Sequence, residues 1–118
     1  MKIETTFRHL TANEDSRDFV RDLARGTLGE FEGAHELEVF VVAEHSGPEF
    51  ECKLLLRASW LGGDLYARET HPLFYGAVHE ALHVAKMQIA KRMKKKTAHR
   101  RLRGLRAKYE GHDGKAAV

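Results

Sequence analysis

A chain of 118 residues with 42% hydrophobic and 31% charged side chains can build one domain with a buried core and has no room for two. No apolar run reaches the length of a membrane span, and the alternating start MKIETTFRHL lacks the apolar stretch of a signal peptide, so membrane and secreted classes are not expected. A single cysteine, Cys52, cannot form an internal disulfide, which agrees with a reducing, cytoplasmic setting. The net charge of +3 conceals a sharp division. Residues 1–80 carry eight Lys/Arg against fifteen Asp/Glu, whereas residues 81–109 carry eleven Lys/Arg and no acid. A positive segment this concentrated points to a polyanionic partner.

The first element is a strand: Ile3, Thr5 and Phe7 alternate with polar residues in KIETTFRH. A helix follows, with Thr11 or Asn13 as its cap and Glu14, Asp15 and Asp18 at its positive end. Phe19, Val20, Leu23, Leu28 and Phe31 recur at helical spacing, and Gly26 and Gly29 predict a kink or an early end. HELEVFVVAEH and EFECKLLLRASW read as two strands joined by the turn HSGP. Leu37, Val39, Val41 and Ala43 share one face, as do Phe50, Cys52, Leu54, Leu56 and Ala58. LGGD makes a second turn and DLYARE a short further strand. Pro72 then opens a long helix at the position where a missing N–H costs nothing. Phe74, Val78, Leu82, Ala85, Ile89 and Met93 form its core stripe, and the helix is predicted to run to about residue 100. The expected division is an α+β domain over residues 1–102 and a basic, flexible tail over 103–118. The order β-α-β-β-β-α, with one apolar face on each element, predicts a four-stranded mixed sheet with both helices on one face. The first two strands are expected to be parallel neighbours, because a helix separates them.

His79-Glu80-Ala81-Leu82-His83 spells HExxH, the pattern in which two imidazoles four apart on a helix reach one zinc ion and the glutamate activates water. That makes a zinc hydrolase one alternative. Three features weigh against it. A chain with eight His and twelve Glu meets the pattern readily by chance. Lys86 and Ile89 stand where the metzincin continuation has Gly and His. The helical wheel also puts His79 at the edge of the core stripe and His83 on the exposed side. The favoured reading is two surface histidines, with no metal, cofactor, catalytic residue or small-molecule substrate.

The second helix carries Lys86, Lys91, Arg92, Lys94, Lys95 and Lys96, followed by Arg100, Arg101 and Arg103. The first helix carries Arg17, Arg21 and Arg25 at i, i+4 and i+8, with Asp18 and Asp22 spaced for ion pairs to Arg21 and Arg25. Side by side on the sheet, the two helices are expected to present one basic surface to phosphate. Few aromatics accompany these cations, so folded RNA read by shape is a better match than stacked single strands. A general double-stranded RNA-binding module is a second alternative, though THPLFYG, at the start of the second helix, lacks the basic residues such modules use.

Over about residues 1–100 the chain resembles the ribosome hibernation promoting factors and ribosome-associated inhibitors, in their short form. The resemblance rests on the element order, on HPLFYGAVHEALHVAKMQIAKRMKKK with Tyr75, Ala77 and Val78 at matching positions, on SRDFVRDLA with Arg17 and Val20, and on GGDLYARE. It implies a fold like that of double-stranded-RNA-binding domains. It also implies a cytoplasmic, non-enzymatic protein that binds ribosomal RNA in the decoding region of the small ribosomal subunit and silences ribosomes under stress. Carried over by position, the RNA contacts would be Arg17, Arg21, Arg25, Lys86, Lys91, Arg92, Lys94 and Lys95, with Lys96 and Arg100 added from the same basic run. The chain departs from the pattern at Leu73, where an acidic residue is typical, and in the two glycines of its first helix.

Overall fold

A computed structural model describes residues 1–11, 13–31 and 36–110, with side chains described as far as residue 95. The elements are β1 (Lys2–Arg8), α1 (Glu14–Leu28), β2 (Glu38–Ser46), β3 (Glu49–Arg57), β4 (Leu65–His71) and α2 (Phe74–Glu110). Short 3₁₀ turns, Gly29–Phe31 and Ser59–Leu61, follow α1 and β3. The sheet order is β1-β2-β3-β4, with β1 parallel to β2 and the other pairs antiparallel. This is the expected α+β arrangement.

Alternation along each strand decides which face is covered. Val39, Val41, Ala43, Cys52, Leu54, Leu56, Leu65 and Ala67 are buried on one face and meet Val20, Ala24 and Leu28 of α1 and Ala77, Val78, Ala81, Leu82, Ala85 and Ile89 of α2. α1 packs on β1, and α2 on β3 and β4. Cys52 belongs to this core. Burial, together with the negative charge of Glu51 beside it, pushes its thiol up to about 12, so it holds no thiolate for chemistry near neutral pH.

Asn13 caps α1, its side chain accepting from the Ser16 N–H at 2.9 Å. α1 ends at Leu28, and Gly29 passes into the 3₁₀ turn, the early end that the glycines predict. The start of α2 differs from the expectation. Pro72 lies before the helix rather than in its first position, and the Leu73 N–H donates to Nδ1 of His71 at 2.9 Å. The last residue of β4 thus satisfies one of the orphan donors that open α2. The His71 ring lies against Gly76, and a Cβ built there would overlap it. Alanine for glycine in a helix ordinarily gains about 1 kcal/mol. At this position Gly76→Ala should instead cost about 1–2 kcal/mol by displacing the ring. Thermal melts should show that loss, and combining it with His71→Ala should remove it; a stabilised single variant would contradict this packing.

α2 also runs on to Glu110 rather than ending near residue 100. Lys, Arg, Leu and Ala dominate KTAHRRLRGLRAKYE, and the one interior glycine, Gly104, costs too little to stop the helix. At 37 residues α2 is about 55 Å long, most of the molecule's 66 Å extent. Ile89 is its last buried residue among those described. Beyond it the helix carries its cations past the core. Residues 111–118 of the expected tail lie outside the described residues.

Candidate nucleic-acid interface

The two helices run side by side in the same direction. Phe19 and Tyr75 meet edge to face at 4.5 Å near their starts, and Glu30 pairs with Lys86 at 3.1 Å just past the end of α1. Arg25 is thereby level with Ala81 and Leu82. Lys91, Lys94 and Lys95 lie about 15–20 Å further along the axis.

The flanks diverge too. The Arg17 guanidinium donates to the Thr5 carbonyl at 3.2 Å and stands 5.2 Å from the Phe7 ring centroid, both on β1. The Arg17–Arg21–Arg25 stripe therefore follows the β1 side of α1, opposite the flank that meets α2 through Phe19. Arg92 reaches the other side of the molecule. Its guanidinium donates to the carbonyls of Leu61, Gly63 and Asp64 at 3.4, 3.1 and 3.2 Å, gathering the turn between β3 and β4. Gly62 and Gly63 take positive φ angles of 75° and 144° there, and this turn brings the carbonyls of Leu61, Gly63 and Asp64 together on Arg92. Contacts therefore fix Arg17 on the β1 side and Arg92 against the β3–β4 turn, while Arg25 and the group Lys91, Lys94 and Lys95 are exposed at different heights along the helices.

The side chains differ in how far their charge is already committed. Arg21 pairs with Asp18 at 3.1 Å and Asp22 at 3.4 Å, and Asp22 does not serve Arg25 as the spacing suggested. Lys86 is held by Glu30. Arg17 gives one donor to the Thr5 carbonyl, and Arg92 is positioned by three carbonyls of the β3–β4 turn. Arg25, Lys91, Lys94 and Lys95 are exposed and make no ion pair with another described residue. The last three occupy one turn of α2 beyond the core, and this is the least compensated positive charge among the described helix residues. The helix backbone carries Lys96 and Arg100 onward from it, but their side chains lie outside the described residues.

His79 and His83 are both exposed, and no group of three metal-ligating side chains forms among the described residues. The sequence pattern also passed over two roles. Arg92 reads as one more lysine-like cation of a basic run, since its partners lie about thirty residues away in a glycine turn. Glu51 reads as a surface acid, yet it is only 4% exposed, because Lys53 and Arg68 fold over it at 3.2 and 2.6 Å. Burial alone would push its carboxyl up; the hydrogen bonds with Arg68, Lys53 and Glu44 outweigh that and hold it below the usual range.

The family model described as sigma 54 modulation protein / S30EA ribosomal protein matches residues 3–97. Among solved structures, the N-terminal domain of Protein Y from Thermus thermophilus superposes with a TM-score of 0.68 at 21% identity, covering 77% of this chain and 98% of its own. A ribosomal subunit interface protein from Coxiella burnetii superposes with a TM-score of 0.61 at 14% identity, covering 77% and 96%. A comparison with curated protein sequences finds no match.

Proposed function

Because the chain belongs to the sigma 54 modulation protein / S30EA ribosomal protein family, we propose that it binds the small ribosomal subunit and occupies the decoding region, blocking translation on idle ribosomes. The observation that carries this reading is the turn of Lys91, Lys94 and Lys95, which make no ion pair with another described residue, on the part of α2 that runs beyond the core. Phosphate is the ligand that such a surface suits: exposed ammonium groups release condensed counterions when they meet it. Arg25, on the β1 side, would touch a second stretch of ribosomal RNA rather than extend the first. Arg92 contributes indirectly, by holding the β3–β4 turn against α2. A folded RNA groove that follows both helices fits cation groups separated along their axes better than a flat duplex surface does.

Inhibition on this reading needs no chemistry. A domain seated where messenger and transfer RNA would lie excludes them by volume and by charge. The protein would act in the cytoplasm without cofactor or metal, with residues 1–102 as the binding unit.

Co-sedimentation with ribosomes through sucrose gradients tests the reading. The protein should travel with the small subunit and the intact ribosome, and its affinity should fall about 100-fold between 50 and 200 mM salt. Binding to the large subunit alone, or none at low salt, would contradict it.

A further inference from the structure

Among the described residues, no element covers the sheet face opposite the helices. The strand register sets its side chains in rows across the four strands. Phe40, Leu55 and Tyr66 are cross-strand neighbours in the middle row, and Tyr66 is 67% exposed. In the next row stand Lys2, Glu38 and Arg57, with Asp64 joined to Arg57 at 3.4 Å. That row alternates in sign, +, −, +, −, from one sheet edge to the other. Glu38 makes no ion pair with another described residue, although Arg57 is its cross-strand neighbour.

We infer that this face binds a second copy of the chain, sheet to sheet, about a two-fold axis parallel to the strands between β2 and β3. Such an axis sets β1 against the partner's β4 and β2 against the partner's β3. The alternating row is then complementary to itself: Lys2 faces an aspartate and Glu38 faces an arginine. The apolar row also falls on itself, Phe40 against leucine, with Glu4 meeting a tyrosine hydroxyl. A nucleic acid is the poorer occupant. Lys53 and Arg68 are already drawn to Glu51, and Glu4, Glu38 and Glu44 would repel phosphate. Two rows are less favourable: one sets Val42 against the partner's Lys53 and another sets Glu44 against the partner's Glu51, but Lys53 lies within 3.5 Å of both acids in each copy.

Area limits the strength. Four strands about 4.8 Å apart and about 20 Å long offer about 400 Å² per copy, half of the about 800 Å² in a standard interface. Self-association should therefore be weak, with a Kd of about 10–500 μM.

Sedimentation velocity of the ribosome-free protein at concentrations up to about 1 mM tests this directly, so that failure of the ribosomal reading would leave it standing. The wild-type protein should pass from monomer to dimer. Glu38→Arg alone sets arginine against arginine, Arg57→Glu alone sets glutamate against glutamate, and each should raise Kd at least about tenfold. Mixed in equal amounts, the two variants should form a heterodimer of near wild-type affinity, and the double variant E38R/R57E should dimerise again. Circular dichroism melts would identify a variant that fails by unfolding, in which case Tyr66→Ser serves as the second probe and should also weaken the dimer. A wild-type monomer at the highest concentration, or folded single variants that do not complement each other, would overturn the proposal.

Discussion

Reversing Lys91, Lys94 and Lys95 together (K91E, K94E, K95E) is expected to weaken ribosome binding at least about 100-fold. Three phosphate contacts disappear, and three like charges take their place against the polyanion. The melting temperature should stay within about 6 °C of wild type, because each substitution at an exposed, unpaired position changes stability by only about 0.5 kcal/mol. The same change should flatten the salt dependence, since fewer counterions remain to be released. Arg21→Glu is the matched control. Asp18 and Asp22 already neutralise that arginine, so its reversal should matter far less. Retained binding by the triple variant at moderate salt would move the interface elsewhere.

Leu82→Ala should have the largest effect on the fold. Leu82 is fully buried in the cluster shared by the sheet and both helices. Removing its branched end loses transfer free energy and leaves a cavity, a cost of about 3 kcal/mol. For a domain of this size that is a drop of about 12–24 °C in melting temperature, readable by circular dichroism. Binding by the fraction still folded should be unchanged, because Leu82 reaches no surface. A shift below about 4 °C would mean that the helix does not pack here as described. The two variants thus separate the surface of α2 from its core.

The fold was legible because its signals are local. Period-two alternation in VFVVA and ECKLLL, and the stripe from Phe74 to Met93, each depend on a few neighbouring residues; the structure buries Val39, Val41, Cys52, Leu54, Leu56, Val78, Leu82, Ala85 and Ile89, half-buries Phe74 and leaves Met93 exposed, because the helix has by then passed the core. The cap at Asn13 and the early end of α1 at Gly29 are local in the same sense. The candidate site was legible only in part. Counting charge locates Lys91, Lys94 and Lys95, but it cannot show that Arg92, in their midst, is tied to a turn, or that Lys86 is held by Glu30. Those partners are about thirty or more residues away. The height difference between Arg25 and the lysines is likewise set by how α1 lies against α2, through Phe19 and Tyr75. The middle row of the open sheet face requires the register of three strands before Phe40, Leu55 and Tyr66 become neighbours. His71 at the start of α2 was hidden for another reason: imidazole is a rare cap, and the sequence offers a proline at the next position as the more familiar start signal.

Chemical footprinting of small-subunit ribosomal RNA, with and without one equivalent of the protein, tests the central claim most directly. Protection should concentrate on the nucleotides of the decoding region, fade as salt rises, and vanish with the triple lysine variant. Protection confined to another part of the subunit, or a decoding-region footprint that the triple variant leaves intact, would contradict the account.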